Sequence, residues 1–488
     1  MSILSKINGK IILQFLGILL IIEGLFMFTG IPFSLYYCGE KCLSLLYSGL
    51  ITFGTGLVLW FFTKSAERQI GKREGYIIVT VTWLVISLFG TLPYLISNTI
   101  PNFTNAFFET ISGFTTTGSS ILDDIESMPK GLLFWRSLTH WIGGMGIIVL
   151  SVAILPILGI GGMQLFVAEM PGTGITPDKL HPRITQTAKR LWLIYVMLTA
   201  IETVLLLSGG MNLFDSMCHS FATMATGGFS TQNTSIAGYS PYIQYVIVVF
   251  MIMAGTNFTL HYLSLHGKIR EVWKNEEYRY YILFTFGFVF LITALMLWYS
   301  DIAVEKAFRN TLFQVVSIVT TTGFVTSDYM FWPGNLWIFI FLLMFIGGSA
   351  GSTAGGIKIA RQILLLKNSA LEFKRMIHPK AVIPVRFNGR AVPREIIHMI
   401  MAFFLFYILI FFAGTFIMTL LGLDFDTAIG ATIASLGNIG PGIGAVGPVE
   451  NYNALPSTAK WLASFLMLLG RLELFTVIIL FSPSFWKK

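Results

Sequence analysis

Four apolar stretches of this sequence, each too short to cross a membrane, close on a similar triplet: Thr116-Thr117-Gly118, Ala225-Thr226-Gly227, Thr321-Thr322-Gly323 and Asn438-Ile439-Gly440. The triplets themselves hold no acid, base or imidazole, so their side chains suit neither proton transfer nor transition-metal ligation. What they offer is backbone. Glycine reaches angles that other residues resist, which lets a chain aim its carbonyls at one point. A ring of such carbonyls can replace the water shell of a cation such as potassium. The triplets lie 109, 96 and 117 residues apart. Each follows a short apolar run and precedes a polar return: Ser119-Ser120, Gly228-Phe229-Ser230, Phe324-Val325-Thr326 and Pro441-Gly442. Recurrence at such a period marks a repeated unit.

Positioning these triplets falls to long apolar segments. Of the 488 residues, 55% are hydrophobic and only 11% charged, against roughly 25% charged in a soluble domain. A helix needs about 20 apolar residues to span a bilayer. Ten stretches qualify: about 11–31, 43–63, 76–98, 132–158, 189–208, 242–266, 280–300, 335–366, 396–421 and 456–482. The first reads as a span and not as a cleaved signal, because no small-residue cleavage site follows it. With both termini cytoplasmic, the inner segments hold 24 of the 32 basic residues. That bias agrees with the orientation at every crossing. It also explains the formal charge of +8 through the membrane and its lipids, without nucleic acid.

The expected fold is therefore all-α and integral to the membrane. It has ten transmembrane helices, with four parallel helix–P-loop–helix repeats around one central pore. Two spans per unit return the chain to its starting side, so the copies are parallel. Residues 1–75 form two accessory helices, and the pore repeats cover 76–160, 161–279, 280–395 and 396–488. Irregular backbone at membrane depth must be buried or line a watery path, since each unsatisfied group costs several kcal/mol. The short helices would point their partly negative C-terminal ends toward the membrane centre, favouring a cation there.

Other features admit two readings. Asn105, Asn212, Asp215, Asp301, Glu305, Asp424 and Asp426 lie near the outer ends of the short helices. They serve helix capping and dipole pairing, a cation-concentrating vestibule, or both. In 347–358, five of twelve residues are glycine, which suits an interrupted helix. The four-residue spacing of Gly347, Gly351 and Gly355 equally suits close helix packing. Arg471, a charge expected at membrane depth, either pairs with Glu202 or Glu23 or faces a polar interior. Cys38 and Cys42 either form a bridge or stay as idle thiols, and Cys218 reads as a small apolar residue. His219 and His261 read as polar packing or surface groups. No phosphate-binding glycine-lysine loop or paired-histidine metal motif is present, which argues against a nucleotide site, a bound organic cofactor or an enzyme. An alternating-access carrier would show broken helices in paired halves.

The motifs Gly-Phe-Thr-Thr-Thr-Gly118-Ser-Ser, Ala-Thr-Gly227-Gly-Phe-Ser, Thr-Thr-Thr-Gly323-Phe, Gly-Asn-Ile-Gly440-Pro-Gly, Gly-Thr-Asn257-Phe-Thr-Leu-His and Gly347-Gly-Ser-Ala-Gly-Ser-Thr-Ala-Gly-Gly-Ile-Lys358 resemble the Trk/Ktr potassium transporter superfamily, TrkH branch, along the whole chain. The resemblance implies a gated, channel-like potassium uptake subunit in the bacterial inner membrane, with rubidium as a surrogate ion. It implies filter glycines Gly118, Gly227, Gly323 and Gly440. It places a gate in Gly347, Gly348, Ser349, Ala350, Gly351, Ser352, Thr353, Ala354, Gly355, Gly356 and Lys358, with Arg471 beside it as an electrostatic barrier. A homodimer and a cytosolic nucleotide-binding regulatory subunit are also implied. The regulator would dock on the basic segment 361–395, which anionic lipid head groups could equally contact.

Overall fold

The computed structural model describes residues 7–37, 42–64, 71–149 and 180–486. The Cys38–Cys42 question and the expected repeat boundary at 160 lie outside the described residues. The principal helices are α1 (Gly9–Phe28), α2 (Cys42–Thr63), α3 (Lys72–Gly90), α4 (Phe103–Phe114), α5 (Lys130–Val149), α6 (Leu180–Ser208), α7 (Leu213–Met224), α8 (Pro241–Ala254), α9 (Phe258–Leu265), α10 (Glu276–Tyr299), α11 (Val304–Val319), α12 (Trp337–Leu343), α13 (Ile359–Ile377), α14 (Arg394–Leu420), α15 (Phe425–Leu436) and α16 (Ser457–Arg471). A two-residue antiparallel ribbon, Arg386–Phe387 with Arg390–Ala391, sits in the basic stretch between α13 and α14.

Burial is inverted relative to a soluble protein. The short helices α4, α7, α11 and α15 are the core: every residue from Ala106 to Phe114, and from Gly430 to Leu436, is buried. Long helices instead display large apolar side chains outward, among them Leu283, Phe290, Phe412 and Phe416. Contiguous apolar surface on this scale is unfavourable in water and favourable against lipid. Helices α1 and α2 cross closely because glycines meet: a Cβ on Gly17 would lie 2.9 Å from the Gly56 carbonyl oxygen. Small residues at such crossings let membrane helices approach without a hydrophobic drive between them.

Among the described residues, six helices are long and apolar enough to cross a membrane, and eight if each of two bent pairs counts as one span. The bends are sharp: 102° between α8 and α9, and 110° between α16 and Phe475–Phe481. At the second, Glu473 and Leu474 take φ of 58° and 51°, which ends the helix. Of the two other expected spans, 132–158 appears as α5 and passes out of the described residues after Val149. The other, 335–366, is not a continuous helix: α12 ends at Leu343 and α13 begins only at Ile359. Arg136 and Lys460 lie buried within α5 and α16.

Candidate functional site

Each short helix ends in the same turn. Thr116, Thr226, Thr321 and Asn438 take φ of 50°, 53°, 54° and 53°. Left-handed angles are true outliers for β-branched threonine and tolerated by asparagine, so the atypical Asn438 sits where the backbone most accepts it. The amide one residue later always bonds back to the helix: Thr117 to Ser112, Gly227 to Ala222, Thr322 to Ser317 and Ile439 to Ala434, at 2.8–2.9 Å. One residue further comes a left-handed glycine: Gly118 (φ 83°), Gly228 (78°), Gly323 (80°) and Gly440 (97°).

This register corrects the second triplet. Gly227 is not the counterpart of Gly118, Gly323 and Gly440; it matches Thr117, Thr322 and Ile439, and Gly228 takes the glycine position. The true spacings are therefore 110, 95 and 117. Two adjacent glycines concealed the shift, because either fits the motif by composition.

The four turns close into a ring. A Cβ on Gly118 would run into the carbonyl oxygen of Gly227, one on Gly228 into that of Thr322, one on Gly323 into that of Ile439, and one on Gly440 into that of Thr117. Each loop thus packs its glycine on the carbonyl of the next, and the fourth returns to the first. The same four glycines line one cavity of about 90 Å³, together with Ser119, Ser120, Pro441 and Tyr452. Hydrogen bonds join the loops as well: Asn438 Nδ2 donates to Thr117 Oγ1 at 3.0 Å, and Ser119 Oγ to the Gly440 carbonyl at 3.3 Å.

Capping explains several of the polar groups at the helix starts. Asn102, Asn212 and Asp424 accept the amides of Asn105, Asp215 and Thr427. Asn105 itself accepts from Lys460. Helix α11 has no side-chain cap, and Glu305 there pairs with Arg309 at 3.0 Å.

Residues 344–358 form an irregular strap against the ring. Gly351 and Gly356 take left-handed φ, and the strap bonds to several distant elements. Gly355 N donates to Thr321 Oγ1 at 2.6 Å. Thr353 Oγ1 lies 3.0 Å from the Met224 carbonyl and 3.2 Å from that of Ala254. Ser349 N donates to the Gly255 carbonyl at 2.9 Å. Breaking the span at Gly255 thus frees carbonyls that the strap satisfies. At the strap's end, Lys358 Nζ donates to the Ala354 carbonyl, and just beyond it Arg361 pairs with Glu473.

Arg471, at the end of α16, donates to the Thr353 carbonyl at 2.8 Å and the Gly143 carbonyl at 3.3 Å. Among the described residues it forms no ion pair with Glu202 or Glu23, although both carboxylates are buried. His219 bonds the Asp215 carbonyl and Ser230, and His261 the Met253 carbonyl. Cys218 is buried and free. No group of acids, histidines or cysteines among the described residues could hold a metal ion.

Sequence reasoning missed the support behind the ring. Glu109 in α4 pairs with Arg136 at 2.7 Å, both buried. It also accepts from Ser120 Oγ and Ile121 N, while Arg136 donates to the Ser230 carbonyl. One ion pair therefore ties the returns of the first two loops. Gly143 and Gly144 bring α5 against Phe114 and Ala225. The Trp-Ile-Gly-Gly run was a visible signal, but glycine pairs are common in membrane helices.

Residues 45–488 match the family model described as TrkH, cation transport protein. The chain is 40% identical over 491 residues to the Trk system potassium uptake protein TrkH of Escherichia coli strain K12, covering 99% of each. It is 35% identical over 484 residues to the Trk system potassium uptake protein TrkG of the same strain, covering 98% of this chain and 99% of that one. The crystal structure of the potassium transporter TrkH from Vibrio parahaemolyticus aligns with a TM-score of 0.90 at 36% identity, over 99% of this chain and all of that one.

Proposed function

The chain belongs to the TrkH cation transport family, and from that premise we propose that it is the potassium-conducting membrane subunit of a Trk-type uptake system. Its path runs through the ring of four loops, within four parallel helix–loop–helix repeats that complete ten spans. The filter comprises Thr116–Gly118, Thr226–Gly228, Thr321–Gly323 and Asn438–Gly440. Potassium sheds water against carbonyls there, aided by the C-terminal dipoles of α4, α7, α11 and α15. The observation that carries this reading is the cyclic packing of each left-handed glycine on the next loop's carbonyl.

Below the ring, the strap 347–358 acts as the gate and Arg471 as a positive barrier beside it. Its bonds to the second and third loops and to Arg471 support that role. Opening moves the strap off the axis. Inward flow needs no second ion, since 100 mV is worth about 2.3 kcal/mol per charge. The subunit lies in the bacterial inner membrane with both termini cytoplasmic. It works as a homodimer, and a cytosolic nucleotide-binding regulator docks on the basic segment 361–395.

The test is rubidium uptake into liposomes carrying the purified protein, with external potassium or sodium as competitor. Potassium should suppress uptake at concentrations where sodium does not. Equal suppression by sodium would overturn the potassium assignment.

A further inference from the structure

Where the first, third and fourth loops carry Thr117, Thr322 and Ile439, the second carries Gly227 and has no side chain. Another element fills that space. A Cβ on Gly227 would meet the His140 ring, with Cγ and Cε1 at 2.5 and 2.6 Å. His140 comes from α5, outside the second loop, and is fully buried. Its ring stacks on Phe229 with centroids 4.0 Å apart and planes 16° apart. Arg136, one turn earlier on α5, lies 3.5 Å over the same Phe229 ring. Gly227 does not take a positive φ, so its backbone does not require glycine. The imidazole does.

The Gly227 carbonyl is the one on which Gly118 packs. Glycine is the residue least able to hold its own backbone in place, and an aimed carbonyl decides which ion is dehydrated well. We propose that His140 is a positioning residue for ion selectivity. It supplies from a neighbouring span the side-chain bulk that the second loop lacks, and so holds the Gly227 carbonyl in the ring. The inference rests on the four-loop filter reading.

The experiment measures potassium against sodium competition for rubidium uptake in liposomes, for His140→Ala, Gly227→Thr and the double variant, with Gly118→Ser alongside. Each single change at 140 or 227 should cut discrimination about tenfold, one by leaving a void and the other by collision. The double variant should return to within about threefold of the parent, since touching residues couple on this scale. A double variant no better than the singles overturns the proposal, as does parental discrimination in His140→Ala. Should His140→Ala fail to yield folded protein, recovery of folded and selective protein in the double variant supports the proposal, and no recovery overturns it. An unchanged Gly118→Ser protein would remove the filter reading and the role of His140 with it. Failure confined to the 140 and 227 variants removes His140 alone.

Discussion

At the scale of single residues, backbone conformation outweighs side-chain chemistry. Three threonines hold left-handed angles that cost of order 1–3 kcal/mol each, and such strain persists only where surrounding packing over-determines it. Gly118 and Gly228 carry the sharper constraint, because a side chain would combine a strained φ with collision against a carbonyl. Gly118→Ser or Gly228→Ser should therefore weaken preference for potassium over sodium by about tenfold, or about 1.4 kcal/mol, in folded protein. Unchanged ion competition would refute the assignment for that loop. Asp424 offers a milder check. The Thr427 amide donating to it holds its carboxyl below the ordinary carboxylate range. Its contribution is thus full above the ordinary carboxylate pKa and fades as pH falls through the lowered value. Asp424→Ala should cost about 1 kcal/mol near neutral pH and less in acid, read as a shift in melting temperature.

At the scale of elements, the short helices are held by what lies behind them. The Glu109–Arg136 pair joins α4 to α5, and through Ser230 to the second loop. Removing one partner leaves a buried charge and should cost about 3–5 kcal/mol. Glu109→Gln and Arg136→Met should each lower the melting temperature in detergent sharply, and the double variant by less than the two losses combined. Simple additivity would mean that the pair is not coupled. Broken helices follow the same logic. The interruptions at Gly255 and at 344–358 satisfy one another's backbone groups, so neither is an isolated defect. Much of this was legible early: the glycine content of 347–358 permitted a break. Its partners were not, because they lie 34 to 129 residues away in sequence.

At the scale of the whole molecule, Arg471 draws elements together. Its guanidinium spans from Gly143 on α5 to Thr353 in the strap. In the proposed mechanism it is both a tie on the gate and a positive charge in the path. Arg471→Ala should raise rubidium flux into liposomes several-fold, since the loss of either effect eases cation passage. Flux at or below the parent level in folded protein would refute the barrier role.

Membrane character, most of the apolar spans, four glycine-containing turns and the family are legible in the sequence, because hydropathy, glycine and motif spacing are local properties. Sequence pattern alone put the second left-handed turn at Gly227, whereas it falls at Gly228, against the Thr322 carbonyl of another loop. Nor could it choose between a pairing and a polar interior for Arg471, or show that His140 stands against Gly227. Those are contacts between segments far apart in the chain, and only tertiary packing decides which distant groups share a few ångströms.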